Sequence, residues 1–408
     1  MRIAYLVGRY PAVSHAFLER EVRGLRENGV EVETISIRAP GADELLSERD
    51  REEARHTFNV LSIGPVRLIA AHGAAFARAP LGYLAIFARA LRLAQPGPRE
   101  RLRGLIYFAE AVVVRRHCRR LGVTHLHATQ FADGAGTVAL LAADLARREG
   151  ADWSWSLTVH GPAEFFDVTR FRLAEKVRAA TFTTAVSEFT RSQLMALVEE
   201  RHWSRIRVVH MGADLERYRP VERPPRRDGD VRVLVVARLV RHKGHAVLLQ
   251  ALARLRDQGP VLQLTVAGDG EERQALTRLA ADLGVDEQVR FLGAVGQDDL
   301  PSLYAEADVF CLPTLAEAVG VVNMEAMATG LPVVSSRLMG VPELVEDGVS
   351  GLLVEPGESD ELADALRTLA SDPELRTGMG EAGRRKVEAE FDAAAEAAKL
   401  SALLADYV

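Results

Sequence analysis

Short apolar runs alternate with longer amphipathic stretches along most of this chain. Strand-like runs fall at 3–7, 32–37, 125–127, 155–159, 181–185 and 206–210, with helical periodicity over 15–28, 134–148 and 188–199 between them. The alternation continues with runs at 232–237, 262–267, 289–292, 308–312, 331–335 and 352–354. Parallel strands need a crossover and a helix supplies it, so this order predicts parallel sheets covered by helices. Residues 65–93 and 100–121 read as two helices broken by Gln95-Pro-Gly-Pro98, and 373–406 reads as a helical tail. Residues 39–64 are acidic and show no clear period.

A chain of 408 residues exceeds one ordinary core, so two domains are expected. The proline- and charge-rich stretch from Arg219 to Asp230 marks the boundary, giving domains 1–215 and 216–408. Within it, Asp228-Gly-Asp230 reads as a turn, and no metal is expected there or elsewhere. Apolar residues make up 48 %, which predicts an ordered globular chain. The two cysteines, Cys118 and Cys311, stand in apolar surroundings and suggest no disulfide framework, consistent with a reducing cytoplasm. The opening Met1–Val7 run is too short for a secretory signal, and no long uncharged apolar window spans a membrane.

Net charge is −6 but unevenly divided: residues 1–215 carry +6 and residues 216–408 carry −12. Residues 67–120 alone hold 11 arginines and 2 acids. Arg115, Arg116, Arg119 and Arg120 share helical spacing, with Leu81, Leu84, Ile86, Phe87 and Leu91 nearby. Basic amphipathic helices bind anionic interfaces, so this region is expected to dock on an anionic membrane surface. The alternative is that the apolar stripe packs on the first sheet and the arginines are simply solvated. No nucleic acid is expected as a partner.

The densest chemistry lies in the second half. Glu317 and Glu325 are eight residues apart, the first in a loop and the second inside a helix that starts at Gly320, Val321 and Val322. A helix start presents free N–H groups and a positive dipole end, which suits a phosphate. Gly330 and Pro332 close that helix. Arg238 and Lys243 follow the strand at 232–237, where open α/β sheets bind ligands. Lys243 is one of only four lysines against forty-seven arginines, which points to a site needing a compact ammonium. Solvated surface acids and a chance lysine are the bland alternative. Gly268-Asp-Gly270 lacks the third glycine of a dinucleotide fingerprint and reads as a tight strand-to-helix turn. His160 and His127 each end a strand, the first a candidate catalytic group and the second a candidate acceptor contact. Ser187-Glu188 reads as a helix N-cap.

In order, Arg238-x4-Lys243-Gly244, Val266-Ala-Gly-Asp-Gly270, Val289-Arg-Phe-Leu-Gly293, Ala307-Asp308, the Glu317/Glu325 block, Val341-Pro-Glu343 and Asp347-Gly-Val-Ser-Gly351 resemble the donor domain of retaining glycosyltransferases of family four. Arg9-Tyr-Pro11-Ala-Val-Ser14, Thr124-His-Leu-His127, Thr158-Val-His160-Gly161 and His210-Met-Gly212-Ala-Asp214 resemble its exopolysaccharide branch. The resemblance implies an α/β fold of two Rossmann-like domains facing each other across a cleft, the GT-B arrangement. The helix near 391–406 is then expected to pack back on the first domain. The resemblance implies that Arg238 and Lys243 hold the diphosphate of a nucleotide-sugar donor. Glu325 would take the ribose and Glu317 the hydroxyls of the transferred sugar. His160 would lie near the reacting face, and Ser14 and His127 would serve the acceptor. That branch usually has an acid and a threonine where His15 and Ala16 stand, so the first loop departs from it.

The implied reaction is retaining transfer from a nucleotide-diphosphate sugar, without metal or cofactor, to a lipid-linked saccharide in surface or exopolysaccharide synthesis. The protein would be cytoplasmic and peripheral on the inner face of the plasma membrane. A soluble small-molecule acceptor, a sugar-nucleotide hydrolase or epimerase, and an idle binding protein remain as other readings.

Overall fold

The structure is a computed structural model that describes residues 1–12, 16–41, 44–130, 134–221, 230–256 and 260–408. It forms two compact units, one of Met1–Val209 with Ala397–Val408 and the other of His210–Glu396. In the first unit the strands are β1 (Arg2–Arg9), β2 (Glu31–Arg38), β3 (Phe58–Asn59), β4 (His125–Gln130), β5 (Ser154–Val159), β6 (Thr183–Ala185) and β7 (Ile206–Val208). They pair in parallel in the order β3-β2-β1-β4-β5-β6-β7. The second unit holds β8 (Val231–Val236), β9 (Leu262–Ala267), β10 (Val289–Gly293), β11 (Val309–Leu312), β12 (Val333–Ser336) and β13 (Gly351–Val354). Their order, also all parallel, is β10-β9-β8-β11-β12-β13. Both sheets therefore follow the Rossmann order, in which the winding reverses once beside the first strand.

β1 shows why the central strands read as unbroken apolar runs. Ala4 and Leu6 face a core shared with Leu126, Ala128, Leu157 and the helix Ala135–Arg148. Ile3, Tyr5 and Val7 face the opposite side, against Leu18, Val22 and Leu25 of the helix Ala16–Glu27. A parallel strand covered on both faces has no polar side to alternate with. That second core is completed by Leu400 and Leu404 from the last helix, Ala393–Tyr407, and the Tyr407 ring lies tilted 5.3 Å from that of Phe182. Fully burying a leucine contributes roughly 2 kcal/mol.

The stretch 39–64 contains a nine-residue helix, Glu48–His56, closed at its start by a capping box between Ser47 and Asp50. The single helix expected over 65–93 is two helices, Pro65–Arg78 and Pro80–Leu93, bent by 119° at Ala79. Pro80 explains the break, since its ring forbids a continuous hydrogen-bond ladder and disfavours helical geometry at Ala79. Ala71, Ala75, Ile86 and Ala90 anchor the pair in the first unit's core. The basic flank expected along 115–120 is free only in its second half, where Arg119 and Arg120 are exposed. Arg115 is buried and its Nε donates to Glu149 at 2.9 Å, while Arg116 donates to the carbonyl of Ala70. Ile86 is buried too, so it belongs to the core and not to the exposed apolar face.

Candidate active site

In the second unit the winding reverses between β8 and β11, and their carboxyl ends open the crevice where such sheets bind ligands. The loop after β8 and the loop after β11 are tied together there. The carbonyl of His242 accepts the Leu315 N–H at 2.7 Å and the Thr314 hydroxyl at 3.0 Å. Gly244 makes this approach possible: φ is +74°, and a Cβ there would lie 1.7 Å from the Pro313 carbonyl oxygen. The two loops thereby bring Lys243 to Glu317, with Nζ donating to Oε2 at 2.5 Å. Both side chains are largely shielded, at 17 % and 15 % exposure. Arg238 is exposed on the same loop and makes no ion pair with a described residue.

The helix Val321–Ala328 begins at Gly320, whose φ of +98° is left-handed. Val321 and Val322 are half-buried, and first-turn N–H groups have no acceptor within a helix. Glu325 is 2 % exposed and accepts from the Tyr304 hydroxyl at 3.1 Å. At the other end, Arg384 donates to the Ala328 carbonyl at 2.7 Å. The helix is thus held from both ends, and its start opens beside Lys243 and Glu317. Tyr304 gave no signal in the sequence, as one tyrosine in a short apolar helix. His245, just after Gly244, is buried with both ring nitrogens unpartnered among described residues. Burial, with the charge of Lys243 adding to it, pushes its pKa down to about 4.

Other motif members have structural work. Asp308, at the start of β11, accepts from the Arg232 backbone N–H at 2.8 Å and from its guanidinium, joining β11 to β8 away from the site. Asp347 accepts the Leu353 N–H at 2.9 Å and an Arg337 N–H at 2.6 Å, shaping the turn into β13. Gly268 closes β9 in a tight turn where a Cβ would meet the Ala237 carbonyl oxygen at 1.9 Å.

In the first unit His160 follows β5, is 3 % exposed, and its ring lies 5.2 Å from that of Phe17. His127 does not offer itself to an acceptor. Its ring is fully buried, with Nδ1 2.7 Å from Ser156 Oγ and Nε2 2.9 Å from Thr158 Oγ1. His125 spans Ser154 and Ser156 in the same way, each at 2.7 Å. Alternate residues of β4 point to one face, so a strand-end histidine two residues from another histidine joins the same buried ladder. Ser14 lies outside the described residues. Ser187 caps its helix as expected, accepting the Thr190 N–H at 3.1 Å.

The model of the family described as "Glycosyl transferases group 1" matches residues 220–386. A GDP-mannose-dependent alpha-(1-6)-phosphatidylinositol monomannoside mannosyltransferase of Mycolicibacterium smegmatis is 34 % identical over 67 % of this chain and 75 % of its own. A D-inositol 3-phosphate glycosyltransferase of Corynebacterium jeikeium is 41 % identical over 43 % of this chain and 46 % of its own. Neither is an exopolysaccharide enzyme by name, so the expected branch gains no support from them. Anabaena HepE, solved with UDP and glucose, covers all of both chains with a TM-score of 0.72 at 20 % identity, which establishes the GT-B fold. With the mannosyltransferase similar over most of both chains and the family model falling on the unit that carries Lys243, Glu317 and Glu325, this chain belongs to the group 1 glycosyltransferases.

Proposed function

We propose that the chain moves a sugar, with retention, from a nucleotide-diphosphate donor to a lipid-linked acceptor. The observation that carries the donor half is the Lys243–Glu317 pair at the β8/β11 reversal, beside the start of the helix Val321–Ala328. Lys243, Arg238 and the N–H groups at 320–322 supply positive potential where a leaving diphosphate gains charge. Glu325 and Glu317 offer acceptor oxygens to ribose and sugar hydroxyls. In the proposed reaction the anomeric C–O bond to the diphosphate breaks. The new bond to the acceptor oxygen forms on the same face, and the acceptor proton passes to the departing phosphate oxygen. His160, carried by the first unit after β5, is proposed as a further catalytic group. No metal enters this scheme. The lipid-linked acceptor is supported by the phosphatidylinositol mannoside relative. The inositol phosphate relative favours a soluble acceptor as the second reading.

The test is transfer from GDP-mannose and UDP-glucose to phosphatidylinositol mannoside or to inositol phosphate, followed by NMR of the product's anomeric centre. Retention of the donor's configuration is expected, with activity unchanged in EDTA. Inversion sinks the mechanism. Activity lost in EDTA and restored by Mg²⁺ or Mn²⁺ sinks its metal independence. Transfer to inositol phosphate alone moves the acceptor to the second reading.

A further inference from the structure

Folding leaves an apolar surface uncovered on the first unit. Of the nineteen large apolar side chains exposed among the described residues, nine fall within residues 61–106. The helices Pro65–Arg78 and Pro80–Leu93 carry most of them. Val66 is 79 % exposed, Ile69 72 % and Leu81 83 %. The pattern is directional. At 100° per residue Val66, Ile69 and Phe76 fall on one stripe of the first helix, while Ala71 and Ala75 face the core. On the second helix Leu81 and Leu84 share an outer stripe, opposed to the buried Ile86, Ala90 and Leu93, and Phe87 lies at its inner edge with its ring 5.6 Å from that of Phe108. Leu102 and Ile106, on the helix Pro98–Arg120, add two more exposed side chains.

The charge around these stripes is one-sided. Residues 65–106 hold seven arginines and one acid, Glu100. Arg67 and Arg78, eleven residues apart, share one side of the first helix, between Val66 and the core-facing Ala71, with Arg78 turned to Glu149 at 3.9 Å and Arg67 exposed. Arg67, Arg92, Arg99 and Arg101 are exposed and make no ion pair with a described residue. Arg92 also lines a surface cavity of about 550 Å³ with Arg89, Arg147 and Arg148. The carboxylates in that cavity, Asp144 and Glu175, are already paired with Arg89 and Arg147, which leaves Arg92 and Arg148 for an anionic group.

We infer that this face docks on an anionic lipid bilayer, the helices Pro65–Arg78 and Pro80–Leu93 lying in the interface with their outer stripes among the acyl chains. Exposed apolar stripes edged by arginine meet both demands of such a surface, an apolar interior and a negatively charged boundary. No single described helix is long and apolar enough to cross a membrane. With its other side packed in the core and a 119° bend at its middle, the pair presents one flank only. A second copy of the chain fits less well, because a twofold contact would set this arginine-rich face against itself. The inference gives the lipid-linked acceptor reading its geometry and rests on that reading for its purpose. Its test needs no catalysis, so the two can fail separately.

The full chain is co-sedimented with vesicles of phosphatidylcholine alone and of phosphatidylcholine mixed with phosphatidylglycerol. Binding to the anionic vesicles is expected to exceed that to neutral ones by about tenfold or more, and to weaken with salt. Arg67→Gln with Arg92→Gln, Arg99→Gln and Arg101→Gln should remove the anionic preference. Leu81→Ser with Leu84→Ser should reduce binding at low salt as well. Val349→Ser, on the other unit, should change nothing, and an unaltered thermal midpoint confirms that each variant folds. Absence of binding, or equal binding to both vesicle types, overturns the inference. So does a concentration-dependent dimer that Leu81→Ser dissolves, which would make the face a self-association surface.

Discussion

Lys243 stands in a chain that uses arginine at almost every cationic position, and it is paired at 2.5 Å with Glu317. A guanidinium is wider and planar, whereas Lys243 presents a compact ammonium to Glu317. Lys243→Ala is expected to lower kcat/KM by at least about thirtyfold, near 2 kcal/mol of transition-state stabilisation. Lys243→Arg should rescue little of it, although the charge is kept. Steady-state kinetics with the preferred donor decide this, and a fully active Lys243→Arg would show that any cation suffices. Composition singled this residue out in the sequence, and the structure adds its pairing with Glu317. His127 misled for a related reason: its place at a strand end was visible, but the hydroxyls on the neighbouring strand that occupy it were not. Tyr304 was invisible, because nothing local marks a tyrosine that will reach a glutamate from another helix.

Between β4 and β5 runs a ladder of His125, His127, Ser154, Ser156 and Thr158, extended by Thr184 at 2.5 Å from Thr158. Burial pushes both imidazoles down to about 3, with the neighbouring His127 adding to the effect on His125. As pH falls below the ordinary value near 6.5, the unfolded chain binds protons that the folded chain refuses. The stability these histidines supply is therefore complete above 6.5 and drains away toward pH 3. Burial pushes Glu21 the other way, up to about 7, so its contribution is present in acid and lost as pH rises through 7. His245 and His72, also lowered by burial, act with the two histidines, while Glu19 and Asp144, raised by burial, act with Glu21. Replacing both histidines with glutamine should flatten the urea midpoint against pH between about 6.5 and 5. An identical slope in the variant would place the sensitivity elsewhere. Element boundaries were otherwise readable where burial on both faces made strands uniformly apolar. Two local signals, the Ser47–Asp50 capping box and Pro80, were present in the sequence and outweighed by the acidity of 39–64 and the apolar period of 65–93.

At the scale of the molecule, the two Rossmann sheets were legible because strand-helix alternation admits few topologies. The composition break near 219–230 lies a few residues past the point, between Val209 and His210, where the compact units divide. Composition tracks solvent exposure, whereas the units are set by which side chains pack together. The last helix is the clearest case, since its Leu400 and Leu404 are fully buried in the core of the first unit. Leu400→Ala with Leu404→Ala is expected to destabilise that unit by about 4 kcal/mol or more. Differential scanning calorimetry should show an early transition split from that of the second unit, and a single unshifted transition would refute the assignment. The same helix imposes an order on synthesis. The second unit, 210–396, is one continuous segment and is complete as soon as it leaves the ribosome. Residues 1–209 of the first unit emerge earlier but cannot close the cluster around Ile3 and Tyr5 until residues 397–408 arrive. A segment made before the second unit is thus finished after it, and a chain stopped before residue 397 would leave that apolar face open.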